Sequence, residues 1–129
     1  MQDPTLHKLQ ERVKELTALH RTARILQDSG RASADMVREI AALLPPAWQY
    51  PEVTTARIRF RDICAATPGF CETAWMQIAR FDAHAAEEGT IEVAYLEERP
   101  PEAEGPFLAE ERELIESLAD MLGSYFLHQ

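Results

Sequence analysis

The sequence predicts an α+β domain, an antiparallel sheet of four to five strands packed with N- and C-terminal helices. Three observations carry that prediction. Apolar residues recur at helical spacing at both ends of the chain, the period falls to two in the middle, and turn-forming residues separate the alternating segments.

Residues 5–27 read as one long helix. Leu6, Leu9, Val13, Leu16, His20, Ala23 and Gln27 occupy alternating a and d positions of a heptad, while Leu19, Ile25 and Leu26 widen the stripe in the second half. The narrow first half predicts pairing with a partner helix, and the broader second half predicts packing on the domain's own core. Asp28-Ser29-Gly30 stops the helix. Ser33 is expected to cap a second helix whose apolar face is Met36, Val37, Ile40, Leu43 and Leu44. Pro45-Pro46 should end it, because a residue before proline avoids the helical region. An aromatic loop from Trp48 to Glu52 follows.

Over residues 55–61, Ala56, Ile58 and Phe60 face one way and Arg57, Arg59 and Arg61 the other. Ile63 to Thr67 forms a short partner strand before a turn at Pro68-Gly69. Thr73 to Asp82 carries Trp75, Met76, Ile78 and Phe81 on both faces, the pattern of an inner strand. Gly89 opens another strand, with Ile91, Val93 and Tyr95 alternating, and the short turns favour antiparallel pairing. A stiff acidic connector over 99–106 leads to a third helix from Phe107 to Leu127. Its stripe is Leu114, Ile115, Leu118, Met121, Leu122, Tyr125 and Phe126, and the helix dipole favours Glu110, Glu111 and Glu113 near its start. The chain thus divides into a dimerisation helix, 1–27, and a domain, 28–129.

With 129 residues, 46% of them hydrophobic, the chain supports one domain with a full core. Its 22 acids against 13 Lys and Arg give a net charge of −9, which argues against binding nucleic acid or an anionic membrane. No apolar run approaches the ~20 residues of a membrane span, and the N-terminus lacks a signal-peptide core. The expectation is a soluble, cytoplasmic protein.

No catalytic residue is expected. The five glycines are isolated and make no phosphate-binding loop. Cys64 or Cys71 with His84 is the one thiol–imidazole combination, and nothing in the sequence brings them together. The spacing of the two cysteines and the scatter of the four histidines do not suit a zinc site. Both thiols are therefore expected to be reduced, at least one of them buried, with no metal bound. The arginine face is expected to pair with glutamates on neighbouring strands. Eleven acids and two arginines between Glu87 and Glu116 read as a solvated acidic surface. Trp48, Tyr50 and Trp75 are the candidate ligand-pocket set. Such a cluster can cradle a small molecule or plug a loop against the sheet, and the plug is the stronger reading because aromatics at a loop–sheet junction usually supply core area.

The closing segment carries a family resemblance. Gly89-Thr90-Ile91-Glu92-Val93-Ala94-Tyr95 resembles the last strand of a GAF domain, and the run from Pro106 through Phe107, Glu110, Glu111, Leu114, Ile115 and Leu118 to Ala119 resembles its closing helix. The stretch Leu43 to Glu52, followed by Thr55-Ala56-Arg57-Ile58, is similar to a variant associated with sensor histidine kinases. The resemblance spans roughly residues 15–127. It implies a GAF/profilin-like fold with a shortened middle, since only Ala66 to Glu72 joins the strands there, and hence no large cofactor pocket and no bound cofactor.

What the resemblance implies about function is a non-catalytic sensory or signal-relay module of a larger bacterial regulatory protein such as a two-component sensor histidine kinase. Its partners would be a second copy of itself, an output domain and, where the module senses one, a small-molecule ligand. The alternative is a ligand-free dimerisation domain. The apolar end Tyr125-Phe126-Leu127 suggests a helix that continues toward an output domain. The expected dimer is parallel, built from residues 6–23 through Leu6, Leu9, Val13 and Leu16, with Leu118, Leu122 and Tyr125 of the closing helix alongside.

Overall fold

The computed structural model of the chain describes residues 3–28, 30–83 and 87–128. Its elements are α1 (Pro4–Gln27), α2 (Ser33–Ala47), a 3-10 turn (Pro51–Val53), β1 (Thr54–Phe60), β2 (Ile63–Ala66), β3 (Met76–Asp82), β4 (Glu88–Tyr95) and α3 (Ala109–Leu127). The four strands make one antiparallel sheet in the order β2-β1-β4-β3. The protein is therefore α+β, with the first and last helices flanking the sheet.

The alternation in β1 sets the register. Ala56 pairs with Val93, Ile58 with Ile91 and Phe60 with Gly89, so one face of the two central strands is apolar. Ala79 and Phe81 of β3 extend that face, and Leu114, Ile115, Leu118, Leu122 and Phe126 of α3 cover it together with Val37, Ile40 and Leu44 of α2. Phe60 stacks on Phe126 with ring centroids 4.4 Å apart. Phe81 lies so close over Gly89 that a Cβ there would stand 2.1 Å from its ring, which makes glycine a packing requirement. Between β1 and β2 the chain turns on Arg61-Asp62, and Arg61 takes a positive φ of 56°.

Several boundaries differ from those the sequence predicts. The segment from Thr73 was expected to be an inner strand. The strand begins at Met76 and lies at the sheet edge, because β4 inserts between it and β1. Ile78 consequently points outward, 41% exposed, while the amide of Gln77 is buried in its place. Helix α2 does not stop before its prolines but runs through Pro45 and Pro46 to Ala47. Each proline removes only one donor in the last turn, and Leu44 and Ala47 are held by burial on either side of them. Ala32, with no side-chain hydrogen bond, occupies the cap expected of Ser33. Helix α3 begins at Ala109, and Phe107 packs ahead of it against Tyr95 at 4.6 Å.

Helix α1 packs on α2 and α3 rather than on the sheet. Asp3 caps it through the Thr5 amide, and Gly30 follows it with a φ of +94°. Ser29 of the expected stop signal lies outside the described residues.

Candidate functional site

Helix α1 turns its face around. The side chains it buries are Glu15, Ala18 and Thr22, with His7, Glu11 and Lys14 partly covered. On a helix with 3.6 residues per turn these lie about half a turn from Leu6, Leu9, Val13 and Leu16. Those four are 49%, 58%, 62% and 49% exposed. The a/d seam therefore points away from the domain, and the positions that a coiled coil gives to solvent sit on the domain. The second half behaves as its broader stripe predicts, since Leu19, Ile25 and Leu26 pack against the core.

The closing helix does the opposite. Leu118 and Leu122 are fully buried in the protein's own core, and the half-buried Tyr125 donates its hydroxyl to the Met36 sulfur at 3.7 Å. The expected contribution of Leu118 and Leu122 to an intermolecular face is thereby corrected. They face the sheet because α3, unlike the first half of α1, lies directly on it.

Beneath the seam, α1 meets the rest of the protein through polar groups. Lys14 Nζ donates to the Trp48 carbonyl at 2.7 Å and pairs with Glu11 at 3.0 Å. The Gln49 amide nitrogen lies 3.2 Å from His7 Nε2. A cleft of about 370 Å3 opens here, lined by His7, Glu11, Glu15, Gln49, Leu108 and Glu110 among others. Next to it, the buried Glu111 accepts the backbone N–H of Gln49 at 2.7 Å and the backbone N–H of Leu108 at 2.8 Å, whereas it is the Gln49 side chain that faces His7. Burial pushes the Glu111 carboxyl up to about 7, despite those two amides. Burial likewise raises Glu15, helped by the charges of Glu110 and Glu113 and opposed by Arg12.

The three aromatic candidates do not line this cleft together. Trp48 is wholly buried and its Nε1 donates to Gln77 Oε1 at 3.1 Å. Gln77 in turn donates to Glu104 at 3.1 Å, and Arg112 clamps Glu104 at 2.9 and 2.6 Å. Tyr50 stands edge-on to Tyr95 at 5.8 Å with the Arg99 guanidinium 5.2 Å from its ring. Trp75 is half-buried against the core, and its backbone bonds to Thr73 and Tyr95.

Cys64 and Cys71 are both free and exposed, which corrects the expectation that one is buried. Cys64 alternates with the core-facing Ile63 and Ala65 on the edge strand β2 and so faces outward. His84 lies outside the described residues. Among the described residues no group of three or more His, Cys, Asp or Glu converges to hold a metal, and no helix is long and apolar enough to cross a membrane. The arginine face pairs with glutamates. Arg57 grips the buried Glu92 at 2.7 and 2.9 Å, Arg59 joins it at 3.2 Å, and Arg61 holds Glu87 at 2.9 Å through two nitrogens. Burial works to raise the Glu92 carboxyl, but the two arginines outweigh it and hold it below the usual range.

Sequence reasoning missed the burial of Glu15 and of Glu111, and the Gln77–Glu104 link. The one available signal was the spacing of Glu111 three residues after Leu108, the position from which a glutamate reaches back to the start of its helix. No protein-family model, curated protein or solved structure matches the chain.

Proposed function

We propose that the protein is a non-catalytic, GAF-like signal-relay module that pairs in parallel with a second copy of itself through the first half of α1. The observation that supports this reading most strongly is the outward seam, four aliphatic residues about half-exposed on a helix whose polar side is already occupied. Fully burying such a side chain is worth roughly 1.5–3 kcal/mol. Pairing two seams removes all of them from water without disturbing the domain. As a relay, the module would pass an input to an output domain of a sensor histidine kinase as a shift of the paired helices.

Cysteine trapping tests the arrangement. In a Cys64→Ser/Cys71→Ser background, Leu6→Cys and Leu16→Cys, made separately, should each give a disulfide-linked dimer under mild oxidation. Same-residue links at both ends of the seam arise only from parallel helices. Links that form only between Leu6→Cys and Leu16→Cys chains when mixed would mean antiparallel pairing, and none at all would mean that the seam does not pair.

The second reading, a passive dimerisation domain without a ligand, draws support from Trp48. Its full burial and its bond to Gln77 make it a packing element rather than the wall of an open pocket. Thermal stabilisation by any member of a metabolite panel would favour the sensory reading over the passive one.

A further inference from the structure

With its polar side laid on the domain, α1 is left with an outward face of one charge sign. The two acids of the helix, Glu11 and Glu15, are turned toward the domain, and its exposed charges are Lys8, Arg12, Arg21 and Arg24, all positive. Arg12 reaches back to Glu15 at 3.4 Å. Past Leu16 the line of the seam continues in polar residues. His20 stands one heptad after Val13, and Arg24 follows one turn later on the same edge of the helix. Both are exposed, and among the described residues neither side chain has a hydrogen bond or an ion pair. Asp28, one turn beyond Arg24, is held by Arg31 at 3.9 Å, and Arg31 also takes Glu39.

We propose that pairing two copies assembles an oxyanion site on the two-fold axis, formed by His20 and Arg24 of both copies about one turn beyond Leu16, whose ligand is a small, multiply charged anion of the phosphate class. In a parallel pair the a positions face each other, so the two His20 rings meet across the axis and the two Arg24 side chains, at e positions, flank them. One copy alone offers a single guanidinium and a single imidazole on an open helix surface. Two copies offer two planar forks, each able to give two N–H groups to an oxyanion, with two imidazole N–H donors between them. Charge favours the same occupant. Guanidinium groups drawn together with no acid between them repel, and an anion seated among them removes that repulsion. The chain carries −9 overall, which opposes an extended anionic surface, whereas a small ion needs only the local cations. The site rests on the parallel pairing given to α1 above, since an antiparallel pair would carry the two His20 rings to opposite ends of the seam.

Sedimentation equilibrium of the intact protein tests this, with sodium pyrophosphate as the probe against sodium chloride at equal ionic strength. At pyrophosphate about ten times its own Kd for the dimer, the dissociation constant of the pair should fall about tenfold. Arg24→Gln, at an exposed position, should still fold and pair but lose that response. An equal gain in chloride would mean general screening only and would overturn the site. So would a full response in Arg24→Gln, or calorimetric binding of pyrophosphate to the Leu9→Glu/Val13→Glu chain as tight as to the wild type. Co-sedimentation with phosphatidylglycerol vesicles, without any response to pyrophosphate, would overturn the free anion as the ligand. A wild-type dimer indifferent to pyrophosphate would overturn the site and leave the pairing standing. A wild type that is monomeric with and without pyrophosphate would overturn the pairing and the site with it.

Discussion

Helices α1 and α3 carry similar rows of leucines, and the fold treats the two rows in opposite ways. The α3 row, Leu114, Leu118 and Leu122, lies on the sheet and is at most 3% exposed. The α1 row, Leu6, Leu9, Val13 and Leu16, is about half-exposed. The difference is one of position rather than composition. Helix α3 lies on the sheet, whereas α1 packs on α2 and α3, which cover the sheet face. Its first half then meets the domain through charged groups. An apolar stripe thus does not by itself say what a helix packs on.

Substitutions that separate the two rows make the contrast measurable. The largest effect is expected in α3. Leu118→Ala should destabilise the fold by about 2–5 kcal/mol, the cost of a cavity in a packed core, read from the urea midpoint. Next comes the outer face of the sheet. Arg57→Ala removes the two-pronged partner of the buried Glu92 and leaves it only Arg59, so the cost should approach, without exceeding, the about 3 kcal/mol of a fully broken buried pair. It should also change the acid limb of stability. Glu92 is held below its ordinary range, so it stabilises above about pH 4.5 and that contribution is lost as pH falls. In Arg57→Ala this acid sensitivity should shrink in a pH series of thermal melts.

Glu111 has the reverse sign. Its raised carboxyl favours the folded state at low pH, and the benefit disappears as pH rises from about 4.5 to about 7. Glu111→Gln should flatten stability over that interval. The smallest effect on the monomer's fold is expected on the α1 seam. Leu9→Ala should alter the unfolding free energy of the monomer by no more than about 0.5 kcal/mol, the usual range for exposed positions. Its consequence belongs to association instead. A Leu9→Ala cost as large as that of Leu118→Ala in a monomeric sample would mean that the seam is intramolecular in solution.

Much of this arrangement was readable from the sequence, and the failures have physical causes. The alternation of Ala56, Ile58 and Phe60 against three arginines located β1 and its two faces, because period two is specific to strands. The heptad in α1 was legible for the same kind of reason. Strand order was not, since a strand read alone does not reveal its neighbours, and the edge position of β3 follows from where β4 returns. Neither Leu118 nor Leu122 announces whether it faces a sheet or another chain. The burial of Glu15 and Glu111 was hidden because glutamates in a helix are solvated far more often than not. The expectation that at least one cysteine is buried failed because free cysteines favour interiors, while the alternation of a short edge strand sets Cys64 outward and Cys71 is exposed as well.

The most direct test of the central claim, that the outward seam joins two copies, is sedimentation equilibrium of the wild-type chain beside a Leu9→Glu/Val13→Glu variant. The account predicts a dimer at roughly 10 µM or above for the wild type and a folded monomer for the variant, with an unchanged circular dichroism spectrum. A monomeric wild type at that concentration, or a variant that remains dimeric, would contradict it.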